Sequence, residues 1–193
     1  MAYWLSNIVI DYAKFIIVGI ATFVFILIYW VDVFIDDGNF VMTLLLIFIW
    51  GLSNLTFTYL LSFAFTSPSS AQIILFLINF FFGLVMNIGS FVLRILDSTR
   101  KPHFYFFEYL LRIVPIFNFS FGLLGMAYSS INKLIFDLDE APGPWSTYGS
   151  IKELIASILN VLVYFALIFV VEYWRSFNCS KKKAVNNNIF EEV

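Results

Sequence analysis

Residues 40–71 read FVMTLLLIFIWGLSNLTFTYLLSFAFTSPSSA, and they decide the solvent in which this protein folds. No Asp, Glu, Lys or Arg falls between Phe40 and Phe65, so a helix here is apolar all round. At about 1.5 Å of rise per residue, roughly 20 such residues cross about 30 Å of hydrocarbon. Ser67-Pro68-Ser69-Ser70 then ends the run, because proline cannot continue a helix from its interior. Outward from this stretch, three more segments meet the same length test. They are about 15–35, interrupted by Asp32, then 71–94, and 151–174, with Lys152, Glu153 and Glu172 near its ends. All four are read as helices, since an open strand leaves its backbone unsatisfied in lipid.

Composition agrees. Of the 193 residues 61% are hydrophobic and 12% charged, against about a quarter charged in soluble domains. The net charge of −2 comes without a clustered basic face, so nucleic acid is not an expected partner and membrane lipid is. A single cysteine, Cys179, excludes an intrachain disulfide, and the lone histidine, His103, excludes a histidine-built metal site or relay. No glycine precedes a lysine, so the phosphate-cradling G-x-x-x-x-G-K-[ST] loop is absent. No catalytic, cofactor-binding or metal site is therefore expected in this chain.

The apolar stretch 104–128 is different, because Glu108 and Arg112 sit one turn apart and Pro115 follows. Each charge at a span centre would cost about 2.5–3.5 kcal/mol on an insertion scale. The reading adopted is a re-entrant hairpin of two short helices, with a single fifth span as the alternative. Inside that stretch the sequon Asn118-Phe119-Ser120 is surrounded by apolar residues and is not an expected glycan site. The fold class is thus an all-α membrane protein with four transmembrane helices plus a re-entrant outer helical hairpin. Arg175 and Lys181 to Lys183 place the tail 175–193 in the cytoplasm as a polar linker. Four crossings then bring the N-terminus to the same side.

Two sets of residues stand out. Residues 1–14 are amphipathic, with Tyr3, Asn7, Asp11 and Lys14 opposite Trp4, Leu5, Ile8, Val9 and Tyr12, which suits a helix lying on the membrane surface. Inside the spans, Asn54, Thr58 and Ser62 recur every four residues, as do Asn79, Gly83 and Asn87. Such stripes either let helices pack closely and hydrogen-bond, or border a path for lipid.

Tyr3-Trp-Leu-Ser-Asn7 with Asp11, Trp50-Gly-Leu-Ser-Asn54 through Pro68-Ser-Ser-Ala71, and Pro115-Ile-Phe-Asn-Phe-Ser-Phe-Gly122-Leu-Leu-Gly125 occur in an order that resembles the A subfamily of ABC transporters. These are large exporters of phospholipids and sterols. The resemblance covers nearly the whole chain, aligning it with the third to sixth helices of one transmembrane domain, and Leu55 stands where relatives commonly carry proline. It implies ATP-driven lipid movement, with ATP and Mg²⁺ held by nucleotide-binding domains absent from this chain. The partners it implies are those domains and the remaining transporter half. It also implies a coupling surface at Tyr3, Trp4, Asn7 and Asp11, a connector at 186–192, and a chain that is part of a longer protein. The competing expectation is a self-standing four-span subunit with an assembly or regulatory role and no ATPase.

Overall fold

The structure, a computed structural model, describes residues 2–35, 38–65, 67–96, 102–136, 143–145 and 150–191. Among these the fold is entirely helical: α1 (Ala2–Ile28), α2 (Asp32–Ile35), α3 (Asn39–Ser62), α4 (Pro68–Phe80), a π-helical segment (Phe81–Met86), α5 (Asn87–Leu96), α6 (Pro102–Leu111), α7 (Pro115–Phe136) and α8 (Ile151–Glu191). Four stretches are long and apolar enough to cross a membrane: Leu5–Ile28, Asn39–Ser62, Ser69–Leu93 and Ile151–Arg175.

The first span differs from its expected bounds at both ends. Residues 2–14 do not form a separate surface helix but run without a break into the span. Their polar side has a partner within the bundle: Asp11 accepts hydrogen bonds from the Tyr59 hydroxyl of α3 and from Lys14 Nζ (2.9 Å). Satisfied in this way, Asp11 can sit on a spanning helix. At the other end the expected boundary, Ile35, gives way to a break at Trp30, whose φ of 46° is left-handed. Trp30 N donates to Leu27 O and Val31 N to Ile26 O, the pairing that closes a helix around a left-handed residue, usually glycine. Asp32–Ile35 becomes a separate turn tied to α3, as Asn39 Nδ2 donates to Val33 O (2.7 Å) and Thr43 Oγ1 to Phe34 O (3.2 Å).

The turn into the third span follows from its residues. Ser67 caps α4 by accepting from Ser70 N, and Pro68 occupies the first turn, where its missing amide hydrogen costs nothing. At the far end of the chain, α8 stays helical beyond the last span through Glu191.

Helix α3 is the centre of the bundle. It packs antiparallel to α1, with Phe15 edge-on to Trp50 and Phe23 edge-on to Phe40, the ring centroids 5.7 and 5.0 Å apart. Against α8 it runs parallel, with Phe57 beside Tyr164 and Arg175 donating to Phe63 O. Gly51 makes the α1–α3 approach possible, since a Cβ there would lie 1.9 Å from the Phe15 ring. Met42, Leu46, Met126 and Leu154 form one core where α3, α7 and α8 meet. A second core joins Leu111, Phe117 and Phe121 to Phe82, Met86 and Phe91 of the third span. Outward faces remain apolar, including Ile17 and Ile28 on α1, Ile73 and Phe76 on α4, and Leu162 and Val170 on α8. So much exposed hydrocarbon suits a bilayer and would drive aggregation in water.

Neighbours give the depth of α6 and α7. Ile116 abuts Gly83 near the middle of the third span, and Tyr128 meets Phe91 nearer its end. Helix α7 therefore runs parallel to α5, while α6 ends level with Asn160 and Tyr164, midway along the span Ile151–Arg175. The two form a hairpin that enters the bundle from the end where α8 begins and turns at 112–114.

Candidate functional site

A helix end leaves its last carbonyls without intrahelical partners, and at mid-membrane depth they must find others in the protein. The hairpin tip meets this demand with side chains from two helices. Arg112 O accepts from Asn118 Nδ2 (2.9 Å) on α7 and from Asn160 Nδ2 (2.8 Å) on α8. Ile113 O accepts from the Tyr164 hydroxyl. Asn118 is fully buried in this role, which leaves its amide no room for a glycan.

The same tip carries an ion cluster. Arg112 Nη2 lies 2.8 Å from Glu153 Oε1 on α8 and 3.9 Å from Glu108 Oε2 on α6. All three are buried, at 7%, 3% and 2% exposure, and the Tyr109 ring stacks 5.0 Å from the guanidinium carbon. The Arg112 carbonyl sits beside Asn160 while its guanidinium reaches Glu153, seven residues or about 10 Å back along α8. The side chain thus snorkels away from the membrane middle. Beside the cluster, Arg112, Ile113, Lys152, Ile155 and Leu159 line a groove of about 320 Å³ between the hairpin and α8.

The residues singled out in the sequence fall in three places. Gly83 and Asn87 face the hairpin: a Cβ on Gly83 would lie 2.7 Å from Ile116 Cγ1, and Asn87 Nδ2 points at Phe117 O, 3.5 Å away. The π-helical segment holding Gly83 brings this face against α7, and such segments often mark functional positions. Asn79, one turn earlier, has a buried Oδ1 without a hydrogen-bond partner. On α3 the hydroxyls of Thr58 and Ser62 fold back onto Asn54 O (2.8 Å) and Tyr59 O (2.7 Å) of their own helix. Asn7 and Asp11 lie half-buried at the start of α1, with Asp11 held by Tyr59. The backbones of Tyr3 and Trp4 belong to α1, and their side chains lie outside the described residues.

Glu153, Asn160 and Tyr164 were not singled out. A signal for them exists, since Glu153, Ser157, Asn160 and Tyr164 recur at helical spacing along one face of an otherwise apolar span.

Comparison with known proteins bears on what this bundle is. The profile of the ABC-2 family transporter proteins matches residues 1–170. The chain is 27% identical over 179 residues to human ATP-binding cassette sub-family A member 2, covering 89% of this chain and 7% of that protein. It is 24% identical over 191 residues to ABC transporter A family member 11 of Dictyostelium discoideum, covering 99% of this chain and 20% of that protein. Human phospholipid-transporting ATPase ABCA7 is 23% identical over 177 residues, with 89% of this chain and 8% of that protein covered. The chain thus spans a fifth or less of each of these relatives. With four spans, a buried hairpin and a profile match over most of its length, the chain belongs to the ABC-2 transporter family.

Proposed function

We propose that this chain forms part of the membrane path of an ATP-driven lipid exporter. The observation that carries the reading is the hairpin, whose buried ion cluster joins α6 to α8 within an ABC-2 membrane domain related to A-subfamily transporters. ATP is bound with Mg²⁺ and hydrolysed by nucleotide-binding domains outside these residues. Arg175 and the Lys181 to Lys183 run put the α8 tail in the cytoplasm, so the N-terminus is also cytoplasmic and the hairpin enters from the outer face. The start of α1, with Tyr3, Trp4, Asn7 and Asp11, is then the coupling surface. Through the Asp11–Tyr59 contact, displacement of α1 reaches the end of α3 as rigid-body movement.

Capture of the tagged chain in mild detergent, followed by labelling with photoreactive ATP, tests this reading. The expected result is a labelled partner that co-purifies with the chain. A defined homo-oligomer with no labelled partner would instead identify a self-standing four-span subunit.

A further inference from the structure

The groove beside the hairpin has a composition that its packing role does not require. Its lining includes two cations, Arg112 and Lys152, and no carboxylate among the described residues. Its walls, Ile113, Ile155 and Leu159, are about half exposed on the lipid-facing side. Along α8 the lining passes from Lys152, at the start of the span, to apolar Ile155 one turn deeper and Leu159 two turns deeper.

 That order, cationic at the bilayer surface and apolar below, matches the order of groups in a phospholipid. Arg112 adds a second observation: its side chain is more than nine-tenths buried, and its Nε has no hydrogen-bond partner, although Nη2 is held by Glu153 and Glu108. A buried charged donor left open is costly, and a phosphate oxygen would satisfy it. The volume, about 320 Å³, falls at the lower end of the range of small-molecule sites.

We propose that this groove is a binding site for a phosphate-bearing lipid, its phosphate on Lys152 and Arg112 and its acyl stem along Ile155, Leu159 and Ile113. The role of the site in transport rests on the lipid-exporter reading, but its occupancy does not. Glu108 and Glu153 hold Arg112 Nη2, so the lipid contact adds to an existing cluster, and the closed-off Nε meets the phosphate only when the guanidinium turns toward the groove.

The test uses the full 193-residue chain with p-benzoyl-phenylalanine at Leu159, reconstituted in phosphatidylcholine vesicles. These are doped with radiolabelled phosphatidylglycerol or with diacylglycerol of the same acyl chains. Photolysis is expected to label the chain about tenfold more with the phospholipid, the factor a charge-assisted contact supplies. Lys152→Gln should lower that preference several-fold, and Ile155→Trp, which fills the groove from its exposed side, should abolish it. The same photoreactive residue at Ile17, on the exposed face of α1, should show no preference. Equal labelling by the two lipids at position 159, or a preference unchanged by both substitutions, overturns the site. Preference retained in the vesicles while the separate capture experiment yields no ATP-labelled partner leaves the groove standing and removes the transport reading. Loss of preference with such a partner present does the reverse.

Discussion

At the residue scale the ion cluster is the most exposed to test. A buried pair contributes little net stability over an apolar replacement, but removing one partner strands the other charge. Arg112→Leu leaves Glu108 and Glu153 facing each other without their cation, and we expect it to cost about 3–5 kcal/mol. The double change Arg112→Leu with Glu153→Leu should recover part of that loss. Thermal unfolding in detergent, followed by near-ultraviolet circular dichroism, reads both. Gly51 makes a second prediction: Gly51→Ala should destabilise by about 1–3 kcal/mol, because its Cβ would overlap the Phe15 ring. Phe15→Leu in the same chain should restore most of it. Some of this was legible in the sequence. The one-turn spacing of Glu108 and Arg112 announced an interaction, but Glu153 lies 41 positions from Arg112 and no local pattern pairs them.

At the element scale, the hairpin depends on caps supplied from another helix. Replacing Asn160 with Leu and Tyr164 with Phe removes side-chain donors to Arg112 O and Ile113 O, costing about 0.5–1.5 kcal/mol at Arg112 O, which keeps Asn118, and about 1–3 kcal/mol at Ile113 O, which loses its side-chain donors. Faster hydrogen exchange confined to amides of 112–118 is the expected result, while α3 amides keep their protection. Tyr59→Phe makes a different prediction. It removes the donor to Asp11 that joins α1 to α3, so in the assembled transporter ATP hydrolysis should continue while lipid movement falls. Paired assays of phosphate release and lipid transfer check this. Span interiors were readable because a long apolar run has few alternatives in lipid. The end of α1 was not, because the break uses a left-handed tryptophan where a glycine would have given a signal. Nor did composition separate residues 2–14 from a surface helix, since the partner for Asp11 is 48 residues away on α3.

At the scale of the whole molecule, four apolar spans and a hairpin leave a bundle with a polar cluster where the tip and the third span meet α7 and α8. The class of fold followed from composition and length, and the hairpin from two charges and a proline. The groove did not, because it arises between α8 and a hairpin remote from it in sequence. The proposed activity is lipid movement coupled to ATP hydrolysis. The direct measurement is reconstitution of the chain, captured together with its ATP-binding partner, into vesicles carrying a fluorescent phospholipid on one leaflet. Dithionite quenching then reports the leaflet. ATP with Mg²⁺ should shift the label between leaflets, and the Arg112→Leu variant should lose that shift. Label that stays in place with ATP, while the partner hydrolyses it, would contradict the account.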